Sequence, residues 1–411
     1  MKKEKSIAVI GGGAAGFFAA LSVKYHHPNY KVCLFEKTSK VLAKVKVSGG
    51  GRCNVTNNTE DVNSLIQAYP RGGKQLKNIF YRFNTKDTKT WFEERGVKLK
   101  TEIDGRVFPV SNSSQTIIDC LIQEAISLDI KIVYKVNIKG VRLIKGSWKL
   151  EFENSNQNYY FDRIIIASGG SPKESGFDWL KKLGHTIVSP VPSLFTFNLP
   201  KNSITQLMGL VVEKVRLKVK GIDVETNGPL LITHWGMSGP AILVASAFAA
   251  RDLAKINYKF EIEINWVYEQ NSEKLFQIIQ RVVEMYPHKT LENHKPFNLP
   301  SRLWSFLLNK YNLNPKLKWN ELGKKKTRQF VEKLTHDSYS IFGKTTFKEE
   351  FVTCGGVDLN EIELKSMESK KTKGLFFAGE VLNIDAITGG FNFQAAWSTG
   401  FIAGQLGEFD L

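Results

Sequence analysis

Residues 7–37 read IAVIGGGAAGFFAALSVKYHHPNYKVCLFEK. The apolar run Ile7 to Ile10 meets Gly11, Gly12, Gly13, two alanines and Gly16, and an apolar stretch long enough for a helix follows. The order is strand, glycine turn, helix. The spacing Gly11-x-Gly13-x-x-Gly16 suits a backbone that turns tightly, brings N–H groups up to a pyrophosphate and packs a helix on a strand. A helix start adds unsatisfied N–H groups and partial positive charge, both of which favour phosphate. A second apolar run, Val32 to Phe35, ends in Glu36, where a carboxylate can accept hydrogen bonds from ribose hydroxyls. A secretory signal also has a basic start and an apolar middle, but three consecutive glycines break its helix and it has no use for Glu36.

The chain has 411 residues, 42% of them apolar, enough for two or three domains. Its longest small and apolar run, Gly239 to Ala250, is far short of a membrane span, so no membrane partner is expected. Cys33, Cys53, Cys120 and Cys354 lie far apart, with neither a redox pair nor zinc spacing. No metal site is expected, and the cytoplasm is the natural compartment. The formal charge of +17 suits anionic partners such as dinucleotide phosphates, nucleic acid or a membrane surface, but a lysine-rich solvated surface is the preferred explanation, since the basic residues are dispersed. Only Lys324 to Arg328 forms a compact basic cluster.

Outward from the opening unit comes SGGGRCNVTN, Ser48 to Asn57. Three glycines in a row let backbone approach a flat ligand, and Arg52 can then meet phosphate or a flavin carbonyl; a plain surface turn is the other reading. Ser113 to Leu128 predicts an amphipathic helix, and Phe161 to Ala167 a buried strand running into Ser168, Gly169 and Gly170. In a doubly wound sheet such a strand end opens onto the ligand crevice. The character changes near Val188 to Pro192, where prolines and strand-like runs suggest an inserted β-rich domain. It contains Thr233-His234-Trp235-Gly236, with His234 a titratable candidate whose imidazole suits general acid work or simply caps the next helix. Beyond Trp266 the pattern is helical and charged to about Asp337.

The end returns to the style of the beginning: Cys354-Gly355-Gly356, then GLFFAGE from Gly374 to Glu380, then Thr388-Gly389-Gly390 leading through Asn392 and Gln394 into a terminal helix. A strand, an acid at its end and a glycine turn make a second place where backbone N–H groups can face an electron-rich ligand edge, or a simple capping turn. Asp385 reads as a carboxylate in the crevice or as a turn residue, and Cys53 as a reactive thiol or a small buried side chain.

Taken in order, VIGGGAAG, SGGGRCNVTN, THWGMSGPA and GLFFAGEVLNIDAITGGFNFQAAWSTG resemble the bacterial YhiN/BaiN-like flavoproteins, the aminoacetone oxidase family of FAD-binding enzymes. The resemblance implies an α/β fold: a Rossmann-like two-part FAD-binding domain with an inserted β-barrel-like domain and an inserted helical domain. The expected boundaries are 1–190 and 354–411 for the FAD-binding parts, 191–266 with 343–353 for the β-rich insertion, and 267–342 for the helical one. It further implies non-covalent FAD, with Gly11, Gly13, Ala14, Ala15 and Gly16 on the pyrophosphate and Glu36 beside Lys37 on the adenosine ribose. Ser48, Gly49, Gly50, Gly51, Arg52, Cys53 and Asn54 would lie along the flavin, Val136 against adenine, and Gly169 at the crevice. Gly379 and Glu380 would face the ribitol and phosphate, and Gly389, Gly390, Asn392, Phe393 and Gln394 would set a positive helix end near the pyrimidine ring, where it stabilises anionic reduced flavin. The chain departs from the family pattern at Asn383 and Ala386, where Asp and Gly are usual.

The expected activity is hydride transfer at flavin N5, with NAD(P)H as a transient reductant and an unsaturated or amine small molecule as substrate, and with His234, Arg52 and Asp385 as candidate catalytic residues. No second G-x-G-x-x-G is present for a resident nicotinamide domain. An FAD-dependent nucleic-acid-modifying enzyme and a non-catalytic flavin sensor or scaffold are the alternatives; the preferred reading has no nucleic-acid partner.

Overall fold

The computed structural model describes residues 5–153, 157–345 and 352–407. They fall into two compact units, 5–193 with 352–407 and 194–345, each with its own hydrophobic core.

The first unit is built on a sheet whose parallel part runs Leu375–Phe377, Arg163–Ile166, Ser6–Ile10, Lys31–Phe35 and Lys131–Val133. Two short antiparallel strands, Ile362–Glu363 and Glu368–Ser369, extend it beyond Leu375–Phe377. Ile7, Ala8, Val9, Ile164, Ile165 and Ile166 are fully buried. That is why these strands read as continuous apolar runs: the sheet is covered on both faces.

Two helices, Ala14–His26 at the start and Phe391–Gly404 at the end, pack on each other as the most intimate helix pair of the unit. A side chain at Gly400 would meet the Ala15 carbonyl oxygen at 2.6 Å, and one at Gly404 the Ala19 carbonyl oxygen at 2.5 Å. The small residues allow backbone to meet backbone, so the two ends of the chain are one piece of structure. Ile187–Ser193 pairs antiparallel with Val352–Val357 in this same unit, across an irregularity between Val188 and Val191 in its proline-rich stretch.

The second unit is a seven-stranded antiparallel sheet ordered Asp337–Phe342, Lys259–Asn265, Val211–Val219, Val224–Ile232, Gly236–Ser238, Thr196–Asn198, Lys344–Thr345. Its two outermost strands are consecutive in sequence, joined only by Gly343. The Gly343 N–H donates to the Tyr258 carbonyl at 2.8 Å, and its carbonyl accepts from the Asn198 N–H at 3.1 Å. The sheet therefore curls until one stretch of chain serves both edges, which makes it barrel-like.

Helices Ser272–Met285, Ser301–Lys310 and Gly323–Thr335 share this unit's core, so the β-rich and helical stretches expected separately are packed together. Asp337–Phe342, placed by the sequence at the end of the helical stretch, is a strand with Asp337, Tyr339 and Ile341 facing inward. The buried Asp337 carboxylate accepts from Trp266 Nε1 at 2.8 Å, Lys310 Nζ at 2.5 Å, Tyr339 Oη at 2.6 Å and Tyr311 Oη. A carboxylate with four donors is tolerated inside a protein, and here it ties the helices to the sheet. Among the described residues no helix is long and apolar enough to cross a membrane, and no cluster of His, Cys, Asp and Glu could hold a metal ion.

Candidate flavin site

Three of the four glycines of the opening turn, Gly11, Gly13 and Gly16, have separate duties. At Gly11, with φ +115°, a side chain would run into the Ala167 carbonyl oxygen at 2.3 Å, so the turn sits flat on the neighbouring strand end. At Gly16 it would strike the Gly11 carbonyl oxygen at 1.9 Å, so the helix lies tight on the turn. At Gly13 it would meet nothing within 4 Å. Gly13 is the N-terminal cap of the helix, which has no side-chain cap and no acidic residue in its first turn. The arrangement leaves open space in front of unsatisfied N–H groups, the setting a pyrophosphate requires. Ala14 and Ala15 begin the helix behind it.

Glu36 ends its strand half-buried, its carboxylate accepting from the Gly12 N–H at 3.0 Å and the Thr38 N–H at 2.8 Å. Lys37 is exposed, and the Val136 N–H is committed to the Glu36 carbonyl at 2.9 Å. Gly169 follows the central strand Arg163–Ile166 with open space on its side-chain side.

The second glycine cluster is held to the terminal helix by a ladder of hydrogen bonds. With its amide oriented as its neighbours require, Asn54 donates to the Thr56 and Val107 carbonyls and accepts from the Gly390 N–H at 2.9 Å. Thr56 Oγ1 donates to the Gln394 side chain at 2.5 Å, Asn57 Nδ2 to the Gly389 carbonyl at 3.0 Å, and Trp397 Nε1 to the Val55 carbonyl at 2.9 Å. Tyr69 Oη donates to the Phe391 carbonyl at 2.7 Å. At Gly390, with φ +93°, a side chain would meet the Thr56 carbonyl oxygen at 2.4 Å. The strand after SGGGR and the start of the closing helix are thus one construction, with the exposed Gly49 and Gly50 at its rim.

Several expected residues are engaged by neighbours within the protein. Arg52 donates to Glu102 at 2.7 Å and lies over the Phe108 ring at 4.0 Å, so its guanidinium braces the glycine loop. Gln394 is fully buried between Thr56 and Ser398, and Asn392 grips the N–H and carbonyl of Ala386, both at 3.0 Å. Phe393 stacks on Trp397. Cys53 is buried, which pushes its thiol up to about 12, offset in part by Ser48, in keeping with a small buried side chain. The fully buried Asp385 pairs with Arg71 through both oxygens and accepts from Ser193 Oγ at 2.8 Å. Burial pushes its carboxyl up, and Arg71 and Ser193 pull it back. His234 is exposed on its turn in the second unit, its ring edge-on to Trp235.

Glu380 follows Gly379 at the end of its strand, accepting from Lys44 Nζ at 2.6 Å and from the Thr353 N–H at 2.8 Å. Gly379 donates to Thr399 Oγ1 at 2.9 Å. The Thr353 hydroxyl is buried beside Gly170 and has no partner among the described residues. Motif reading missed Lys44, Thr353 and Arg71, which stand outside any glycine pattern. Only the Gly355-Gly356 pair just after Thr353 hinted at that stretch. The open Gly13 and Gly169, the acid after each of two parallel strands and the orphan Thr353 hydroxyl fit a dinucleotide laid across the carboxyl edge of the sheet.

Fold and site define the class: a two-part Rossmann flavoenzyme, an FAD-dependent oxidoreductase. The chain belongs to the family described as HI0933-like protein Rossmann domain, which it matches over residues 5–406. It is 24% identical to a 3-dehydro-bile acid delta(4,6)-reductase of Clostridium scindens over 97% of this chain and 98% of that protein. It is 26% identical to a ribosomal RNA dihydrouridine synthase of Escherichia coli, over 97% of this chain and 96% of that one. A similarly named protein of Haemophilus influenzae is 27% identical over 96% of each chain. Among solved structures, a 3-ketosteroid-delta4-(5alpha)-dehydrogenase from Rhodococcus jostii shares the fold with TM-score 0.51 at 12% identity, covering 98% of this chain and 97% of that chain.

Proposed function

We propose that this protein is an FAD-dependent reductase of a carbon–carbon double bond conjugated to a carbonyl. The observation that carries the reading is the cradle: the open Gly13 turn and the Asn54–Gly390 ladder belong to one unit and suit one extended dinucleotide. The chemistry is supported by the relatives, since a bile acid delta(4,6)-reductase and a dihydrouridine synthase both saturate such a bond.

Reduced FAD supplies a hydride at N5. The chain's part is to hold the pyrophosphate at the helix start behind Gly13, the ribose at Glu36 and the ribityl chain near Glu380 and Thr353, and to keep the flavin edge at the N-terminus of the closing helix. Hydride adds to the carbon distal to the carbonyl and a proton to the adjacent one. His234 is our candidate donor of that proton, and NAD(P)H our candidate reductant. Arg52 and Asp385 act through structure.

The substrate is a free enone or a uracil ring within RNA. The conjugated small molecule is the reading made from the motifs, and the RNA alternative is supported by the dihydrouridine synthases among the relatives. The test is anaerobic: enzyme reduced with NADPH or NADH is mixed with a panel of enones and with uridine-containing RNA, and reoxidation of the flavin is followed. Reoxidation coupled to a saturated product supports the reading; reduced flavin that persists with every acceptor overturns it. His234→Ala is expected to slow reoxidation roughly a hundredfold with FAD content unchanged.

A further inference from the structure

The second unit contains a groove of about 780 Å³ in which a bulged strand, a strained aromatic and a proline-rich loop meet. The register of Val211–Val219 slips between Val212 and Val215, both buried, leaving Glu213 and Lys214 out of the ladder and exposed. Bulges re-aim side chains. Here Lys214 Nζ lies 3.9 Å from the centre of the Tyr268 ring, with the Arg216 guanidinium 5.1 Å away. Tyr268 itself has φ +64°, a backbone state that aromatic residues rarely adopt and that the surroundings must hold in place. The neighbouring Trp266 is anchored by Asp337, so the wall is rigid.

Across the groove Lys295 donates to the Leu299 carbonyl at 2.7 Å and to Ser301 Oγ at 3.0 Å, beside the half-buried Phe297. Neither Lys214 nor Lys295 has a carboxylate partner among the described residues, although Glu213 stands at the rim. Arg216 leaves its Nε buried without a partner while one terminal nitrogen meets Glu225. Two unneutralised ammonium groups and an aromatic ring, set around a space large enough for a base and its sugar, are the parts that hold a nucleotide. With Lys214 already over one face of the ring, a base would take the opposite face, and the cations meet phosphate.

We infer that this groove is a nucleotide-binding site, taking the base against Tyr268 and the phosphate between Lys214 and Lys295. A strand of RNA and a nicotinamide dinucleotide both present this chemistry. Which of them is physiological rests on the reading above, but occupancy of the groove can be tested without turnover.

The experiment uses the FAD-loaded protein and two probes, a fluorescent single-stranded RNA twelve-mer (about four to sixteen nucleotides is the usual footprint) and oxidised NADP+, which cannot reduce the flavin, measured by anisotropy and calorimetry in low salt. At least one probe is expected to bind. Its Kd is expected to rise about tenfold or more in Tyr268→Ala and in the Lys214→Ala/Lys295→Ala double variant. Tyr268→Phe should keep wild-type affinity, and Lys324→Ala/Lys325→Ala, exposed at the start of helix Gly323–Thr335 and outside the groove lining, should change Kd less than about twofold. The probe that loses affinity names the source. Flavin absorbance and melting temperature report whether each variant is folded, and Tyr268→Phe with the double variant keeps the test decisive if Tyr268→Ala is not. The inference is overturned if neither probe binds, if the groove variants bind like wild type, or if the control variant loses as much as they do. Enone reduction unaffected by any of these outcomes leaves the flavin chemistry standing by itself.

Discussion

Asn54, near the beginning of the chain, accepts a hydrogen bond at 2.9 Å from the N–H of Gly390, near its end. That N–H belongs to the start of a helix, where no intrahelical partner exists for it. Asn54→Ala removes the acceptor and leaves the Thr56 and Val107 carbonyls without their side-chain donor. The expected cost is about 1–3 kcal/mol of unfolding free energy, together with weaker FAD binding. Gly390→Ala meets the Thr56 carbonyl directly and should be at least as damaging. Denaturant unfolding with and without FAD checks both.

Gly11 and Gly13 separate folding from binding. Gly11→Ala places a methyl group 2.3 Å from a backbone oxygen at a positive φ and should lower stability with or without cofactor. Gly13 has an ordinary φ of −91° and open space, so Gly13→Ala should melt like wild type and bind FAD roughly tenfold more weakly, because the methyl group would intrude on the proposed phosphate position. Equal losses of stability in the two variants would contradict the assignment.

Asp385 invites a catalytic reading from sequence, while its burial against Arg71 and Ser193 supports a structural role. Asp385→Ala strands a partly buried guanidinium, and about 3–5 kcal/mol of stability should go with it. In whatever fraction stays folded and FAD-loaded, turnover per flavin should match wild type. Wild-type stability with lost turnover would restore Asp385 to the chemistry.

Much of the FAD-binding unit was legible because its signals are local. Gly11, Gly13 and Gly16 lie within six residues of each other, Glu36 ends the next apolar run, and the Leu375 strand delivers Glu380 directly. What escaped was set by partners far along the chain. Arg52 looks like a phosphate ligand until Glu102 and Phe108 are seen around it, and Asp385 waits on Arg71, more than three hundred positions away. Asp337–Phe342 alternates inward and outward as a strand should, yet it follows a long helical pattern, and only its ladder with Lys259–Asn265 settles its state. Ile187–Ser193 carries two prolines and still pairs, because its irregularity falls at the first of them.

Acid should weaken the first unit through one buried cluster. His185 Nδ1 lies 3.1 Å from the Glu361 carboxylate, which can only accept, and Nε2 lies 3.1 Å from Ser369 Oγ, so the neutral ring that fits donates from Nδ1 and accepts at Nε2. Burial is the main cause lowering its pKa from the ordinary 6.5. For Glu361 burial would raise the carboxyl, but hydrogen bonds from Lys371, Thr186 and His185 outweigh it and bring it down to about 2. Both folded values lie below the unfolded ones, so the folded state binds fewer protons and stability falls as pH drops, first through the histidine range and then from 4.5 toward about 2. Glu361→Gln should be less stable than wild type at neutral pH, with the gap narrowing as the medium is acidified toward about pH 3. A gap that stays constant or widens would contradict this.

The measurement that bears most directly on the whole account is the flavin content of the purified, desalted protein, read from its visible spectrum and by titrating the stripped protein with FAD. The cradle formed by Gly13, Glu36 and the Asn54–Gly390 ladder predicts a yellow protein that takes up one FAD per chain and binds FMN far more weakly, since FMN lacks the adenosine proposed to meet Glu36. A colourless protein that takes up no FAD, or one that holds FMN as tightly as FAD, would contradict it.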